Sequence, residues 1–201
     1  MIPKDTAGMD SKEGLRERKQ RETRQRIAET GLALFLANGY EGTTLDAIAK
    51  ESGISRRTFF SYFKSKDDII LAWQSGAWDA ICAELLKVSP DEKPMDAVRK
   101  TLVRHIAGYE SDKMIAIDKV MRASETLVAR KQTAYVIKEE ALYSVMCQVW
   151  RQPQRRVALR IVAMASIGAM RLAISEWQNQ SGTRSAADFL EDSFAILKDE
   201  I

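Results

Sequence analysis

Few of the 201 residues could carry acid–base or nucleophilic chemistry. His105 is the only histidine, and Cys82 and Cys147, the only cysteines, stand in no CxxC pair and near no histidine. A structural zinc site, a Cys–His pair or a Ser–His–Asp triad within one chain needs more than this. No catalytic residue, metal site or cofactor is therefore expected, and both cysteines read as buried, apolar-like side chains. A different chemistry is concentrated at residues 55–66, SRRTFFSYFKSK. At helical spacing Phe59 and Phe63 share a core face, while Arg56, Arg57, Phe60 and Ser61 fall largely on another. Two arginines and a phenylalanine on an exposed face imply a partner. The major groove of DNA accepts such a helix, where arginine donates bidentately to guanine and an aromatic ring packs on a thymine methyl.

The flanking residues supply the elements that hold this helix. Ser52-Gly53-Ile54 separates it from a short preceding helix that opens at Thr43-Thr44 and carries Leu45, Ile48 and Ala49 on one side. Thr43 and Asp46 fit a capping box, Gly53 accepts the positive φ of a tight turn, and Ser55 is placed to cap the third helix. Upstream, Ile27, Gly31, Leu34, Phe35 and Asn38 recur at three- and four-residue spacing over about 18–38, closed by Asn38-Gly39. Ser65-Lys66-Asp67-Asp68 is a further capping box opening a helix through about Lys87. Beyond it the pattern predicts helices at about 94–110, 112–128, 131–151, 154–179 and 185–199. Pro94 and Pro153 stand near starts, and Gly182 follows the 154–179 helix. Nothing alternates with period two. The expected fold is all-α: an N-terminal three-helix helix-turn-helix domain plus a C-terminal helical bundle, about nine helices in total. The expected division is a flexible basic tail at 1–16, the helix-turn-helix domain at 17–66, and the remainder at 67–201.

Charge is partitioned along the chain. Residues 1–66 hold 13 Lys/Arg against 9 Asp/Glu, and the other 135 hold 18 against 19, so the whole positive excess lies in the N-terminal third. That asymmetry suits a nucleic-acid-facing segment joined to a neutral body. Hydrophobic residues make up 45% and charged residues 29%, as in an ordinary soluble protein. No run approaches the length of about 18 apolar residues of a membrane helix. The polar start with Asp5 and Asp10 lacks a signal peptide's apolar stretch. A cytoplasmic location without membrane association is expected.

The spaced residues Gly39-Tyr40, Thr43-Thr44, Ile48-Ala49, Ser52-Gly53-Ile54-Ser55, Thr58-Phe59, Tyr62-Phe63 and Ser65-Lys66 resemble the N-terminal domain of TetR-family repressors, over about Arg24 to Leu71. The resemblance implies that Thr44, Tyr62 and Lys66 contact phosphates, which fixes register, and that Ser55, Arg56, Arg57, Thr58, Phe60 and Ser61 lie in or beside the groove. Two positions depart from the family pattern. Asp46 precedes Ala47, which places the acid one residue early, and Phe60 replaces the usual tyrosine.

The resemblance also implies a C-terminal domain that binds a small molecule and dimerises through its last two long helices. Ile161, Ala165, Gly168, Leu172, Phe189 and Phe194 are the candidate interface residues, with a monomer core as the competing assignment. Trp78, His105, Met121, Arg122, Arg130, Tyr143, Met146, Met164 and Arg171 are candidate ligand contacts. Helical stripes of Met and aromatics are more often plain core, and an interior His105 satisfied by a hydrogen bond is the ordinary case. The stretch Met121 to Arg130, with Tyr135 and Glu139-Glu140, is similar to a TetR subgroup whose ligands are acyl-CoA-like, and Arg-Arg-Thr-Phe-Phe at 56–60 recurs there. The expected function is a dimeric, ligand-responsive repressor on a palindromic double-stranded DNA operator, released by an apolar or acyl-CoA-like effector. The alternatives are a helical protein-interaction adaptor and an activator without a small-molecule ligand.

Overall fold

The computed structural model describes residues 14–109, 111–180 and 184–200. The expected tail over 1–16 lies almost wholly outside them, as does Gly182. The described residues form nine α-helices and one 3-10 turn, with no strand among them. The helices are α1 Leu15–Asn38, α2 Leu45–Glu51, α3 Arg56–Tyr62, α4 Lys66–Leu85, α5 Pro94–Ala107, α6 Ser111–Arg122, α7 Glu125–Val149, α8 Arg156–Asn179 and α9 Ala186–Glu200, with the 3-10 turn Pro153–Arg155 before α8.

Two hydrophobic cores divide the molecule. The N-terminal core gathers Ile27, Phe35, Ile48, Phe59 and Phe63 with Ile69 and Ile70 from the start of α4. Gly31 lets α1 and α4 meet: a Cβ there would stand 2.5 Å from Ile69 Cγ2. Gly39 at φ 79° ends α1, and Gly53 at φ 68° makes the α2–α3 turn, a backbone region that glycine enters without a Cβ penalty. Ile117 and Val120 of α6 and Leu127 of α7 are buried in this same N-terminal core. The second core packs α4, α5, α7, α8 and α9 around Leu102, Leu142, Met146, Trp150, Leu159 and Leu190. Cys82 and Cys147 are free and only partly buried against it, and burial pushes the Cys82 thiol up to about 11.

Three sequence expectations change. The cap of α2 is Thr44, whose side chain accepts from Ala47 N–H at 3.1 Å. Thr43 is instead buried, donating to the carbonyls of Gly39 and Leu34 at 2.9 and 3.1 Å. The break between α6 and α7 falls at Ala123-Ser124 rather than after 128, because Ser124 accepts from Leu127 N–H and caps α7. Finally, Pro153–Asn179 is one stretch long and apolar enough, by length and composition, to cross a membrane. One face of it, through Leu159, Ala163, Ile167, Met170, Ala173 and Trp177, is buried in the chain's own core, and the other carries exposed apolar residues. A helix apolar on two faces looks like a span when composition alone is counted.

Candidate functional site

The candidate reading helix is α3, held by its neighbours. Ser55 caps it, accepting from Thr58 N–H at 3.1 Å, and Phe59 and Phe63 anchor it at 0% exposure with ring centroids 6.1 Å apart. Arg26 of α1 donates to the carbonyl of Ser52 at 3.0 Å, tying the α2–α3 turn to α1. Ser55, Arg56, Arg57, Thr58, Phe60 and Ser61 are all exposed. Three of their hydroxyls are already engaged: Ser55 Oγ lies 2.8 Å from Thr58 Oγ1, and Ser61 donates to the Thr58 carbonyl at 2.6 Å. Arg56 pairs with Asp46 at 3.1 Å and stands 5.5 Å from the Phe60 ring centre. The early acid of α2 thus lies beside α3. Arg57 carries no ion pair or hydrogen bond among the described residues and projects a free fork of donors.

Lys66 is turned inward. Its ammonium donates to the carbonyls of Tyr40 and Glu41 at 2.7 and 3.3 Å and lies 4.9 Å from the Tyr40 ring centre. It fastens the α1–α2 connection to the start of α4. Beside it, Asp67 accepts from the Tyr40 hydroxyl and, at 3.0 Å, from Ser124 Oγ. Burial and the Asp67 carboxylate both raise the Tyr40 phenol's pKa. One carboxylate therefore joins the α1–α2 loop, the start of α4 and the cap of α7.

A cavity of about 570 Å³ opens between α4, α5, α6, α7 and α8, within the range of drug-sized ligand sites. Its walls are mainly apolar and aromatic, including Trp73, Trp78, Tyr109, Met121, Tyr135 and Trp177. Ile117 and Leu127 line it too, and both belong to the N-terminal core. Three buried nitrogens here have no hydrogen-bond partner among the described residues: Trp78 Nε1, Trp177 Nε1 and His105 Nε2. The His105 ring stacks edge-on to Tyr109 at 5.7 Å, and burial lowers its pKa against the pull of Glu84.

Residues 27–73 match the family model described as bacterial regulatory proteins, tetR family. The match spans the helix-turn-helix, from within α1 into α4. The TcmR regulator of Streptomyces glaucescens is 41% identical over 85 residues, which is 42% of this chain and 38% of that protein. The chain is thus matched over well under half of that relative's length. Solved structures extend the likeness in fold. A transcriptional regulator from Aquifex aeolicus aligns with TM-score 0.57 at 19% identity, covering 89% of this chain and 99% of the other. Thermus thermophilus FadR, a TetR-family repressor solved with lauroyl-CoA, aligns with TM-score 0.53 at 22% identity, covering 87% and 92%.

The candidate ligand residues separate into two groups. Trp78, His105, Met121, Arg122 and Arg130 line the cavity. Tyr143, Met146, Met164 and Arg171 do not. Met146 is fully buried in the C-terminal core, Met164 is an exposed residue of α8, Tyr143 sits under Arg160, and Arg171 lies over the Tyr135 ring at 5.1 Å. His105 Nε2 has no hydrogen-bond partner among the described residues, where a satisfied interior histidine was expected. The interface candidates divide as well. Ile161 and Leu172 are exposed at 56% and 64%, whereas Phe189 and Phe194 are buried within the chain's own core. Sequence reasoning passed over Lys138, Asp118, Trp177 and Gln178. Lys138 was within reach, because it follows Arg130 and Ala134 at four-residue spacing and so shares their face of α7.

Proposed function

We propose that this chain is a ligand-responsive transcriptional repressor that binds a palindromic operator as a homodimer and acts in the cytoplasm. Arg57, Arg56 and Phe60 read base edges in the major groove, with Ser55, Thr58 and Ser61 beside them, while Thr44 and Tyr62 hold the phosphates. Lys66 acts from behind, fixing the loop that presents Thr44. The supporting features are the exposed cationic face of α3 and the family to which residues 27–73 belong. Dimerisation runs along α8, where Val157, Ile161, Met164 and Leu172 expose an apolar stripe at helical spacing. Ala165 and Gly168 beside it permit close approach, and a twofold axis gives two reading heads for two half-sites.

The single observation that carries ligand response is the sharing of Ile117 and Leu127 between the cavity wall and the N-terminal core. A ligand that displaces either side chain also disturbs the packing under α1 and α4. Ser124, three residues before Leu127, transmits that displacement to Asp67 at the start of α4. Filling the cavity then favours an arrangement in which the two heads no longer match successive grooves. The effector is an apolar or acyl-CoA-like compound, by analogy with the lauroyl-CoA complex of FadR. The test is operator release titrated with acyl-CoAs of graded chain length, free fatty acids and aromatic drugs. Release by at least one class, with operator weakening that compound's binding by the same factor, is expected. Operator affinity indifferent to all of them refutes ligand response.

A further inference from the structure

The charges around the cavity do not balance. Asp118 is its one acidic lining residue among those described, and that carboxylate is already occupied. Arg122 donates to it at 2.7 Å and Gln178 at 2.5 Å. The acids on α7 near the cavity, Glu139 and Glu140, turn away to Arg160 of α8. Arg130 and Lys138 are left on the cavity face of α7 with no acid paired to them among the described residues. They are eight residues apart, so about 12 Å separates them along the helix.

Lys138 is the more constrained of the two. Its side chain is half-buried, with the ammonium 5.5 Å from the Trp78 ring centre and 5.8 Å from that of Tyr135. Cation–π contact offsets only part of the lost hydration, and burial lowers the lysine's pKa with no carboxylate to oppose it. Even a partly buried ammonium without a counter-ion is destabilising, and a ligand bringing one relieves that penalty. Trp78 carries an unpartnered indole N–H, and a second unpartnered indole N–H, from Trp177, belongs to the same lining. Both are donors only, so what they lack is an acceptor. Cation and donors call for one kind of group, an anionic oxygen.

We propose that the effector is an apolar organic acid, its carboxylate, sulfonate or phenolate paired with Lys138 and its ring or branched body lying among the aromatic walls. The inference rests on the reading of this cavity as the effector site. It also separates effector sources. A free acid places its charge at Lys138, whereas an acyl-CoA presents a neutral thioester inside and its phosphates at the exposed Arg122 and Arg130.

The test uses two fluorescent probes with the same body, 8-anilinonaphthalene-1-sulfonate and the uncharged N-phenyl-1-naphthylamine, on the full chain. Wild type should bind the sulfonate more tightly than the neutral amine. Lys138→Met should weaken the sulfonate about ten- to hundredfold, the range for a hydrogen bond to a charged group, and leave the amine unchanged. Lys138→Arg should retain sulfonate binding. A wild-type control needs no variant to fold: 1-naphthaleneacetate should displace the sulfonate probe and 1-naphthaleneacetamide should not. Equal displacement by acid and amide, or sulfonate binding indifferent to Lys138→Met, overturns the proposal. Operator binding without any probe is measured separately. Intact operator binding with no preference for the anion refutes this inference alone, whereas failure to bind operator refutes the regulator reading and leaves the anion test readable.

Discussion

The two arginines that open α3 should differ in what their loss does, and the difference can be worked from their surroundings. Arg57 has no partner to leave before it reaches a base. A bidentate contact to guanine is worth about 1–3 kcal/mol, so Arg57→Ala should weaken operator binding by a factor of about 5 to 150. Arg56 must first part from Asp46, 3.1 Å away, in a pair whose side chains are 73% and 59% exposed. Exposed pairs of this kind contribute about 0.2–1 kcal/mol, which subtracts from any base contact Arg56 makes, so Arg56→Ala should cost less than Arg57→Ala. Asp46→Asn should go the other way. It frees Arg56 and removes a carboxylate from beside the phosphates, tightening binding by a factor of up to about 5. The assay is fluorescence anisotropy against an operator selected from a random duplex pool, with a random duplex as control. Equal operator affinity for Arg57→Ala and the parent, or weaker binding by Asp46→Asn, would refute this assignment of the reading face.

Three further outcomes are expected. Gly31→Ala should lower the denaturation midpoint, because overpacking against the buried Ile69, at about 1–3 kcal/mol, outweighs the helix-propensity gain of about 1 kcal/mol; a midpoint at or above the parent's would show that α1 and α4 can part freely. Leu172→Asp should convert a sedimenting dimer to monomer, since a charge in an apolar helix interface has no partner, and a dimer unchanged by it would move the interface off this face of α8. Burial holds His105 below its usual 6.5, so the unfolded chain takes up a proton that the folded chain resists. Stability should therefore be fully present above about pH 6.5 and fall as pH drops below it, and His105→Leu should flatten that slope in urea titrations. An unchanged slope would place the proton uptake elsewhere.

The helix-turn-helix was legible because its spacing is dense with local rules. Caps, a glycine turn and a pair of phenylalanines four apart each admit few conformations, so Ser55, Gly53, Phe59 and Phe63 could be assigned by sequence alone. Thr43 and Thr44 were not separable that way, since either hydroxyl can cap; the tertiary carbonyls of Leu34 and Gly39 decide between them. Lys66 shows the limit of reading charge as exposure. Nothing local says that its ammonium turns back to the α1–α2 loop. The cavity was half legible for a related reason. Met and aromatic residues recur on every C-terminal helix, and whether Met121 lines a space while Met146 fills a core depends on how five helices converge. Phe189 and Phe194 carried the same ambiguity between interface and core, and both are buried within the single chain. The α6–α7 break was signalled by Ser124-Glu125 but masked by an apolar pattern that runs through it.

The central claim, a twofold reader of DNA, is tested most directly by sedimentation of the full chain with a selected palindromic duplex at several salt concentrations. The account predicts two chains per duplex. Affinity should fall steeply and log-linearly with salt as phosphate contacts release counter-ions, and scrambling one half-site should abolish the preference over random DNA. One chain per duplex, or equal affinity for the palindrome and a random sequence, would contradict it.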